Sequence, residues 1–562
     1  MENRINILKH RMFSFSYFKK ILSSSTVIIC FLGINIYAQD TSKASFLNEA
    51  KQLNPQLSHQ TSYPIRSISI KKDLKTWLGW KAATLSTLNQ QSILKLTKGD
   101  TLILDFGRNM VGYIQGETQT TAKIKIESAE VLAELGDNWE QFPAIFENGY
   151  KPDKTWSPYE LDISKTWCLN QRLTFRYIRI CALESSNDIL LSNLKCDEVS
   201  AIPFAKITPL EGFSAKMKHI DLISQYTLRN CLQEVFEDGP KRDRRLWLGD
   251  LRLEALTDGV LFKSDSLVKR CLLLFAGSQR DDGFIPACVY TTKGNNPEIG
   301  DEMIPDYAML FGSVLLDYSL NSNDWQLARK LYPIACQQVD SVVSKWLNSK
   351  KYLDIPDKVW LFIDWSKDLN RQTSEQATAI YATKSLLKLA VKLGIEKDVI
   401  KWEKLSKKLQ EAALKNLYDK NRGLFISGPQ QQVSWASQIW MILAGVVDKP
   451  TGARILTQLK TDTNAIQPGT PYLVHHLVQA YLLCDMDDEA YKLIETYWGG
   501  MIDKGADTFW EVYDPENAYK SPYNSHLFNS YCHAWSCTPA WFLRNPLYSK
   551  RLQKIEIKIF NN

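Results

Sequence analysis

The hydrophobic period of this chain changes once, between Pro203 and Pro209, and a chain with two periods folds as two kinds of layer rather than one. From about Ser45 to Pro203 apolar residues alternate or come in short bursts, as in Ser92-Ile-Leu-Lys-Leu96, Thr101-Leu-Ile-Leu-Asp-Phe106 and Ala122-Lys-Ile-Lys-Ile-Glu127. Leu173-Thr-Phe-Arg-Tyr-Ile-Arg-Ile-Cys181 alternates most cleanly. Alternation marks a strand with one buried face, and turn residues such as Lys98-Gly-Asp100 and Gly107-Arg-Asn109 separate the bursts. Residues 45–203 are therefore predicted to form an antiparallel β-sandwich.

Beyond Pro209 the period becomes helical. Leu222, Tyr226 and Leu232 open one such segment, and Ala377, Ile380, Tyr381, Leu387 and Val391 mark another that stops near Gly394. Similar segments recur at about 265–277, 305–320, 325–347, 400–417, 434–447, 471–484, 486–499 and 531–543. Roughly ten to twelve helices joined by long loops, with no repeat evident in the sequence, predict an (α/α)6 barrel over 205–545, its site built from loops at one end. Residues 546–562 read as a short tail, strand-like because Gln553-Lys-Ile-Glu-Ile-Lys-Ile-Phe560 alternates. A length of 562 residues agrees with more than one domain.

Charge and address narrow the partners. The net charge of +6 is small and dispersed, and no basic stripe is interleaved with aromatics, so nucleic acid is not an expected partner. The excess of Lys and Arg favours an anionic polysaccharide over a neutral one, through long-range attraction. Lys9, Arg11, Lys19 and Lys20 precede an apolar run from Ser25 to Ala38, which is the layout of a signal peptide over residues 1–38. That run is too short for a transmembrane helix, so the expectation is export to the periplasm without stable membrane insertion. Eleven cysteines are scattered without metal-like or disulfide-like spacing, and most read as small buried hydrophobes.

The chemistry concentrates in a few stretches. Residues 234–250 set Asp238, Asp243 and Asp250 among Lys241, Arg242, Arg244 and Arg245, with Trp247 between the charges. Carboxylates and guanidinium groups around an indole suit a sugar, whose hydroxyls meet the charges while its apolar face stacks on the ring. A salt-bridged loop–helix junction would use the same residues, and the stretch alone leaves both readings open. Hydrolysis of a glycosidic bond needs two carboxyl groups with different roles. A second candidate, Glu511, follows Phe509 and Trp510, a setting that would partly desolvate it; a helix-start glutamate is the plain alternative. His533 and Trp535 lie in Tyr531-Cys-His-Ala-Trp-Ser-Cys-Thr-Pro539, where the histidine can equally be structural. Asp306-Tyr307 and Asp364-Trp365 add two acidic–aromatic pairs at loop-like positions.

Together these stretches resemble glycoside hydrolase family 78, the α-L-rhamnosidases, over 205–545 and more loosely over the preceding β-domain. The family signature Asp-Cys-Pro-X-Arg-X-Glu-Arg-X-Gly-Trp-X-Gly-Asp, aligned on Trp247-Leu-Gly249-Asp250, lays Asp243 on the general-acid glutamate, and Asp238, one residue out of that register, takes the place of the first aspartate. Thr508-Phe-Trp-Glu511 looks like the family's Thr-X-Trp-Glu, whose glutamate is the general base. His533 resembles the pocket histidine, and Asp364-Trp365 resembles the element whose tryptophan lines the rhamnose site. The donor position holds Asp rather than Glu, and Asp238-Gly-Pro-Lys-Arg-Asp-Arg244 is similar to a variant branch of the family.

The resemblance implies an exo-acting, inverting α-L-rhamnosidase, with Asp243 as acid and Glu511 as base and no metal or organic cofactor. It assigns Asp238, Arg242, Trp247, Asp250, Asp306, Asp364, Trp365, Trp440, Trp510 and His533 to substrate binding, with Asp238 an alternative donor. The implied partner is a rhamnose-containing oligo- or polysaccharide, with anionic ulvan- or pectin-type polymers favoured by charge. Where relatives carry a C-terminal β-domain, only the 546–562 tail is expected. A uronyl hydrolase or lyase on the same barrel, or a catalytically silent glycan binder, are the rival expectations.

Overall fold

The computed structural model describes residues 43–146, 149–152, 154–291, 298–300 and 302–561; the segment read as a signal peptide lies outside the described residues. A helix over residues 43–52 (α1) precedes eight strands that join one antiparallel sheet. These are β1 (Ser58–Ser62), β2 (Arg66–Lys72), β3 (Trp80–Thr87), β4 (Leu94–Leu96), β5 (Thr101–Ala129), β6 (Tyr159–Cys168), β7 (Leu173–Ser185) and β8 (Ile189–Ser200). A short helix, α2 (Ala133–Gly136), follows β5. The spine is β5, 29 residues long, which pairs with β2, β6, β7 and β8. Cys181 of β7 sits opposite Thr101 in the first half of β5 and opposite Lys125 in the second, so the two halves flank β7. In that position β7 is buried along most of its length: Phe175, Ile178 and Ile180 fill the sheet's core, and Tyr177 packs into a second cluster with Ile68 and Ile103.

The helical part begins with α3 (Ala215–Cys231) and continues with α4 (Leu248–Leu261), α5 (Asp265–Gly277), α6 (Pro305–Ser322) and α7 (Trp325–Trp346). Then come α8 (Gln372–Leu393), α9 (Glu396–Asn416), α10 (Trp435–Leu443), α11 (Lys449–Leu459), α12 (Pro471–Leu483), α13 (Asp487–Leu493), α14 (Gly499–Asp503), α15 (Pro539–Arg544) and α16 (Pro546–Asn561). Helix α4 packs on α6, α6 on α8, α8 on α10 and α10 on α12, while α15 returns to α4. These helices are buried nearly all round; in α6 every residue from Pro305 to Leu316 is buried. Their partners show one apolar stripe. Over its 21 residues α9 buries only Trp402, Ser406, Leu409, Ala412 and Ala413. Local signals set the ends: α8 stops at Gly394 with φ of 70°, and Ser434 and Thr470 cap α10 and α12.

Three sequence expectations need correction. The tail is not strand-like: residues 546–561 form α16, because Tyr548, Leu552 and Ile555 meet the core at helical spacing while Ile557 and Ile559 stay exposed. Glu556, on the same face, accepts the Ser214 amide and the Tyr491 hydroxyl. The segment at 531–543 is helical only from Ala534 to Ser536 and in α15, since its first residues are drawn into extended pairing with residues 509–511. The segment at 486–499 is interrupted by a wide turn at Ile494–Trp498.

Candidate active site

The loop before α4 is tightly closed. The Asp238 amide donates to the Arg245 carbonyl at 3.0 Å, and the Arg244 amide to the Gly239 carbonyl at 3.1 Å. Two glycines of the motif permit close approach: a Cβ on Gly239 would stand 2.6 Å from Ser530 Oγ, and one on Gly249 would stand 2.2 Å from the Tyr307 ring. The loop's four cations divide by direction. Lys241 and Arg244 turn toward the β-domain, where Lys241 Nζ lies 2.7 Å from Glu134 and Arg244 donates to the Arg172 carbonyl at 2.5 Å. Arg242 and Arg245 line a cavity instead.

Arg242 is the hub of that cavity. Its Nη1 donates to Asp243, and its Nη2 reaches both carboxylate oxygens of Glu511, at 2.9 and 3.1 Å. Its guanidinium lies 4.2 Å from the centre of the Phe528 ring and 4.7 Å from that of Tyr523. Glu511 itself comes from an extended stretch held against residues 530–533: its amide donates to the Ser530 carbonyl, and the His533 amide donates to the Phe509 carbonyl, both at 2.9 Å. The Ser530 amide donates to Glu511 Oε2 at 2.6 Å and the Tyr523 hydroxyl to Oε1 at 2.7 Å. His533 Nε2 stands 3.9 Å from Glu511 Oε1, and its ring lies 4.2 Å from that of Trp535.

The three aspartates are not equivalent. Burial pushes Asp243 up, but the guanidinium groups of Arg242 and then Arg245 outweigh it and hold the carboxyl below the usual range. Burial, reinforced by the charges of Asp243 and Asp250, pushes Asp238 well above that range. Burial does the same to Asp250, in the first turn of α4. The cavity thus sets a carboxyl pushed low beside two pushed high, which is the arrangement that acid and base work at one pH calls for. It measures about 1880 Å³, ample for a sugar and what is attached to it. Its wall segments precede α4, α6, α8, α10 and α15, so it opens at one end of the helical ring.

Residues 210–547 match the family profile described as bacterial alpha-L-rhamnosidase 6 hairpin glycosidase domain, and residues 64–198 match the glycosyl hydrolase family 78 alpha-rhamnosidase N-terminal domain. The chain belongs to glycoside hydrolase family 78. This family 78 hydrolase is also similar to a rhamnosidase from Klebsiella oxytoca with rhamnose bound, at 36% identity and a TM-score of 0.83, over 89% of this chain and 98% of that one. A family 78 rhamnosidase of Bacillus sp. GL1 shares the fold at 20% identity and a TM-score of 0.70, over 83% of this chain and 49% of that one. So does a Streptomyces avermitilis alpha-L-rhamnosidase complexed with L-rhamnose, at 17% identity and 0.63, over 88% and 44%. No curated protein matches the chain.

In this family 78 hydrolase Asp238, Arg242, Asp243, Trp247, Asp250, Trp365, Glu511 and His533 all line the one cavity. Four other residues expected there do not. Asp306 accepts the amides of Phe362 and Ile363, each at 3.1 Å, and so shapes the loop before α8. Asp364 accepts the Gly469 amide and the Thr470 hydroxyl, each at 2.6 Å, tying that loop to the start of α12. Trp440 is buried against His476 and Tyr381 in the ring's interior. Trp510 stacks on Trp77 at 5.8 Å, on the far side of its extended stretch, so it does not desolvate Glu511; Trp535 and Tyr523 stand on the cavity side.

Some of the wall was not foreseen. Tyr523 has no motif around it, and Trp360 meets Trp247 edge to face at 6.2 Å from a loop with no periodic signal. Phe146, Thr155 and Trp156 of the β-domain also line the cavity. Contacts between distant segments of this kind leave no local spacing to read.

Proposed function

We propose that this protein is an exo-acting α-L-rhamnosidase that removes terminal α-L-rhamnosyl groups from an oligo- or polysaccharide by a single displacement with inversion. The observation that carries the reading is Arg242, which ties Asp243 and Glu511 together in one sugar-sized cavity. Asp243 protonates the glycosidic oxygen, and Glu511 takes a proton from the water that attacks the anomeric carbon on the opposite face. Such a mechanism wants the two carboxyl groups roughly 6.5–9.5 Å apart when substrate is bound, with the water between one of them and the sugar. Trp247, Trp365 and Trp535 present ring faces or edges to the sugar, and Asp238, Asp250 and His533 meet its hydroxyls. The helical ring is read as an (α/α)6 barrel, and the protein as exported to the periplasm.

A specific observation favours a second assignment of the donor. Burial pushes the Asp238 carboxyl well above the usual range, whereas two guanidinium groups hold Asp243 below it. In this assignment the proton delivered to the leaving oxygen starts on Asp238, the carboxyl pushed up, rather than on Asp243, the one held low. Either Asp238 delivers it directly or Asp243 receives it once the substrate displaces Arg242.

The polymer is read as rhamnose-containing, with an anionic one favoured by the surface charge alone, because the cavity wall carries Glu302, Asp354 and Asp357 beside Arg245 and Lys358. Turnover of p-nitrophenyl α-L-rhamnoside followed by proton NMR tests the reaction. Rhamnose released first as the inverted anomer is the expected result, and the retained anomer, or no rhamnose at all, defeats the reading. Ulvan-, pectin- and neutral rhamnoside oligomers in parallel measure the charge preference.

A further inference from the structure

The acid-bearing loop and the base-bearing stretch share one anchor, and it lies outside the helical domain. Glu130 follows directly on β5 of the β-domain. Its Oε2 accepts the Tyr531 amide at 2.7 Å and stands 3.2 Å from Lys241 Nζ. Glu134 of α2 completes the pair: it lies 2.7 Å from the same Nζ, and its Oε2 accepts the Glu130 amide at 2.8 Å. Lys241 Nζ also donates to the Asn529 carbonyl. All three charged side chains are buried.

A buried ion cluster of this kind seldom stabilises a fold more than apolar residues of the same shape would, so its retention asks for another reason. The neighbours of its members supply one. Lys241 adjoins Arg242 and precedes Asp243 by two residues, while Tyr531 adjoins Ser530, whose amide holds Glu511 Oε2 at 2.6 Å. Through one carboxylate the β-domain therefore holds the Lys241 side chain on the acid side and the Tyr531 backbone amide on the base side.

We propose that Glu130 is a positioning residue for the hydrolysis: by holding Lys241 and the Tyr531 amide at once, it fixes the acid loop and the base stretch to a single point. This rests on the assignment of Asp243 and Glu511 as the reacting pair. A misplacement of about 1 Å between reacting groups costs on the order of 100-fold in rate.

The test uses the full-length protein and three variants, Glu130→Gln, Lys241→Met and the double substitution. With a rhamnosyl disaccharide, whose departure needs the acid as well as the base, each single variant is expected to lower kcat by roughly 10- to 100-fold while KM stays within about threefold. The double variant is expected to be no worse than the weaker single variant, because both act through one contact. Folded sites are counted by calorimetric titration with L-rhamnose, so a loss of folded protein is not mistaken for a loss of rate. Hydrogen exchange of Glu130→Gln is expected to quicken in both residues 238–245 and 507–533. Unchanged kcat per folded site, additive losses, or faster exchange confined to the β-domain overturns the proposal. A wild type that cleaves no rhamnoside instead defeats the rhamnosidase reading, and the exchange result still decides whether Glu130 anchors the two segments.

Discussion

Asp243 and Glu511 meet at the same guanidinium, yet the structure around each is of a different kind. Glu511 sits in an extended stretch paired with residues 530–533, its side chain 1% exposed, with a backbone amide, a tyrosine hydroxyl and Arg242 all donating to it. Asp243 sits on a loop, its side chain 23% exposed, and is bonded by Arg242. The first keeps two donors, the Ser530 amide and the Tyr523 hydroxyl, that are independent of the shared guanidinium. The second shares that guanidinium and is the more exposed of the two. A base must keep one orientation toward a small water molecule, while an acid must change its proton and its partner within each turnover, and the two settings match those two needs.

The sharpest way to break this comparison is to remove each carboxylate in turn. Glu511→Gln is expected to lower kcat by roughly 10²–10⁴, equally for every leaving group, because activation of water does not depend on what departs. Asp243→Asn is expected to match that loss with a rhamnosyl disaccharide but to lose far less with the p-nitrophenyl glycoside, whose phenolate departs without a proton. Steady-state rates on the two substrates decide it, and an Asp243→Asn loss that ignores the leaving group removes Asp243 from the donor role.

The second carboxyl of the acid side sharpens the comparison through pH. In the native pair burial, with the charges of Asp243 and Asp250, pushes the Asp238 carboxyl up. Asp238→Asn leaves Asp243 as the remaining acid of that pair, held low by Arg242 and Arg245, so the donor ionises at lower pH. The alkaline limb of kcat/KM, which reports the donor in the free enzyme, should therefore move to lower pH, with activity at mildly acidic pH less affected. A limb that stays in place means that Asp243 alone sets it, and an inactive variant across the whole range makes Asp238 the direct donor.

The same contrast explains what was legible in the sequence. Residues 238–250 are one contiguous loop and helix start, so charges, glycines and Trp247 could be read from spacing, and every carboxyl of that run lines the cavity. The period change was equally legible, because β7 and the buried helices of the ring express their surroundings in local pattern. The base side depends on pairing between distant stretches. An extended backbone sends neighbouring side chains to opposite faces, which turned Trp510 to Trp77 and left Glu511 to Tyr523, a residue without a motif. Asp306 and Asp364 look like site residues because loops of a barrel end must be tied down, and a carboxylate that accepts two donors ties them. Tail residues 546–561 failed differently: their alternation is real, but the packing of Leu552 and the bonds of Glu556 settle the helix.

Smaller effects separate the two classes of residue that the sequence could not. Asp364→Asn keeps one acceptor and sets an amide against a donor, so it should cost about 1–3 kcal/mol of folding stability by denaturant titration while kcat per folded molecule changes little. Least costly in rate is the comparison of two tryptophans. Trp247 stands at the cavity, edge to face with Trp360 and Tyr307, whereas Trp440 lies inside the ring against His476 and Tyr381. Stacking on an aromatic is worth about 0.5–1.5 kcal/mol beyond its buried area, so Trp247→Ala should raise KM by roughly tenfold, with the melting temperature little changed. Trp440→Ala should do the reverse, lowering the melting temperature by opening a core cavity while KM holds. A KM that rises in both would mean that the ring interior behind the site, and not the indole at the cavity wall, shapes the sugar pocket.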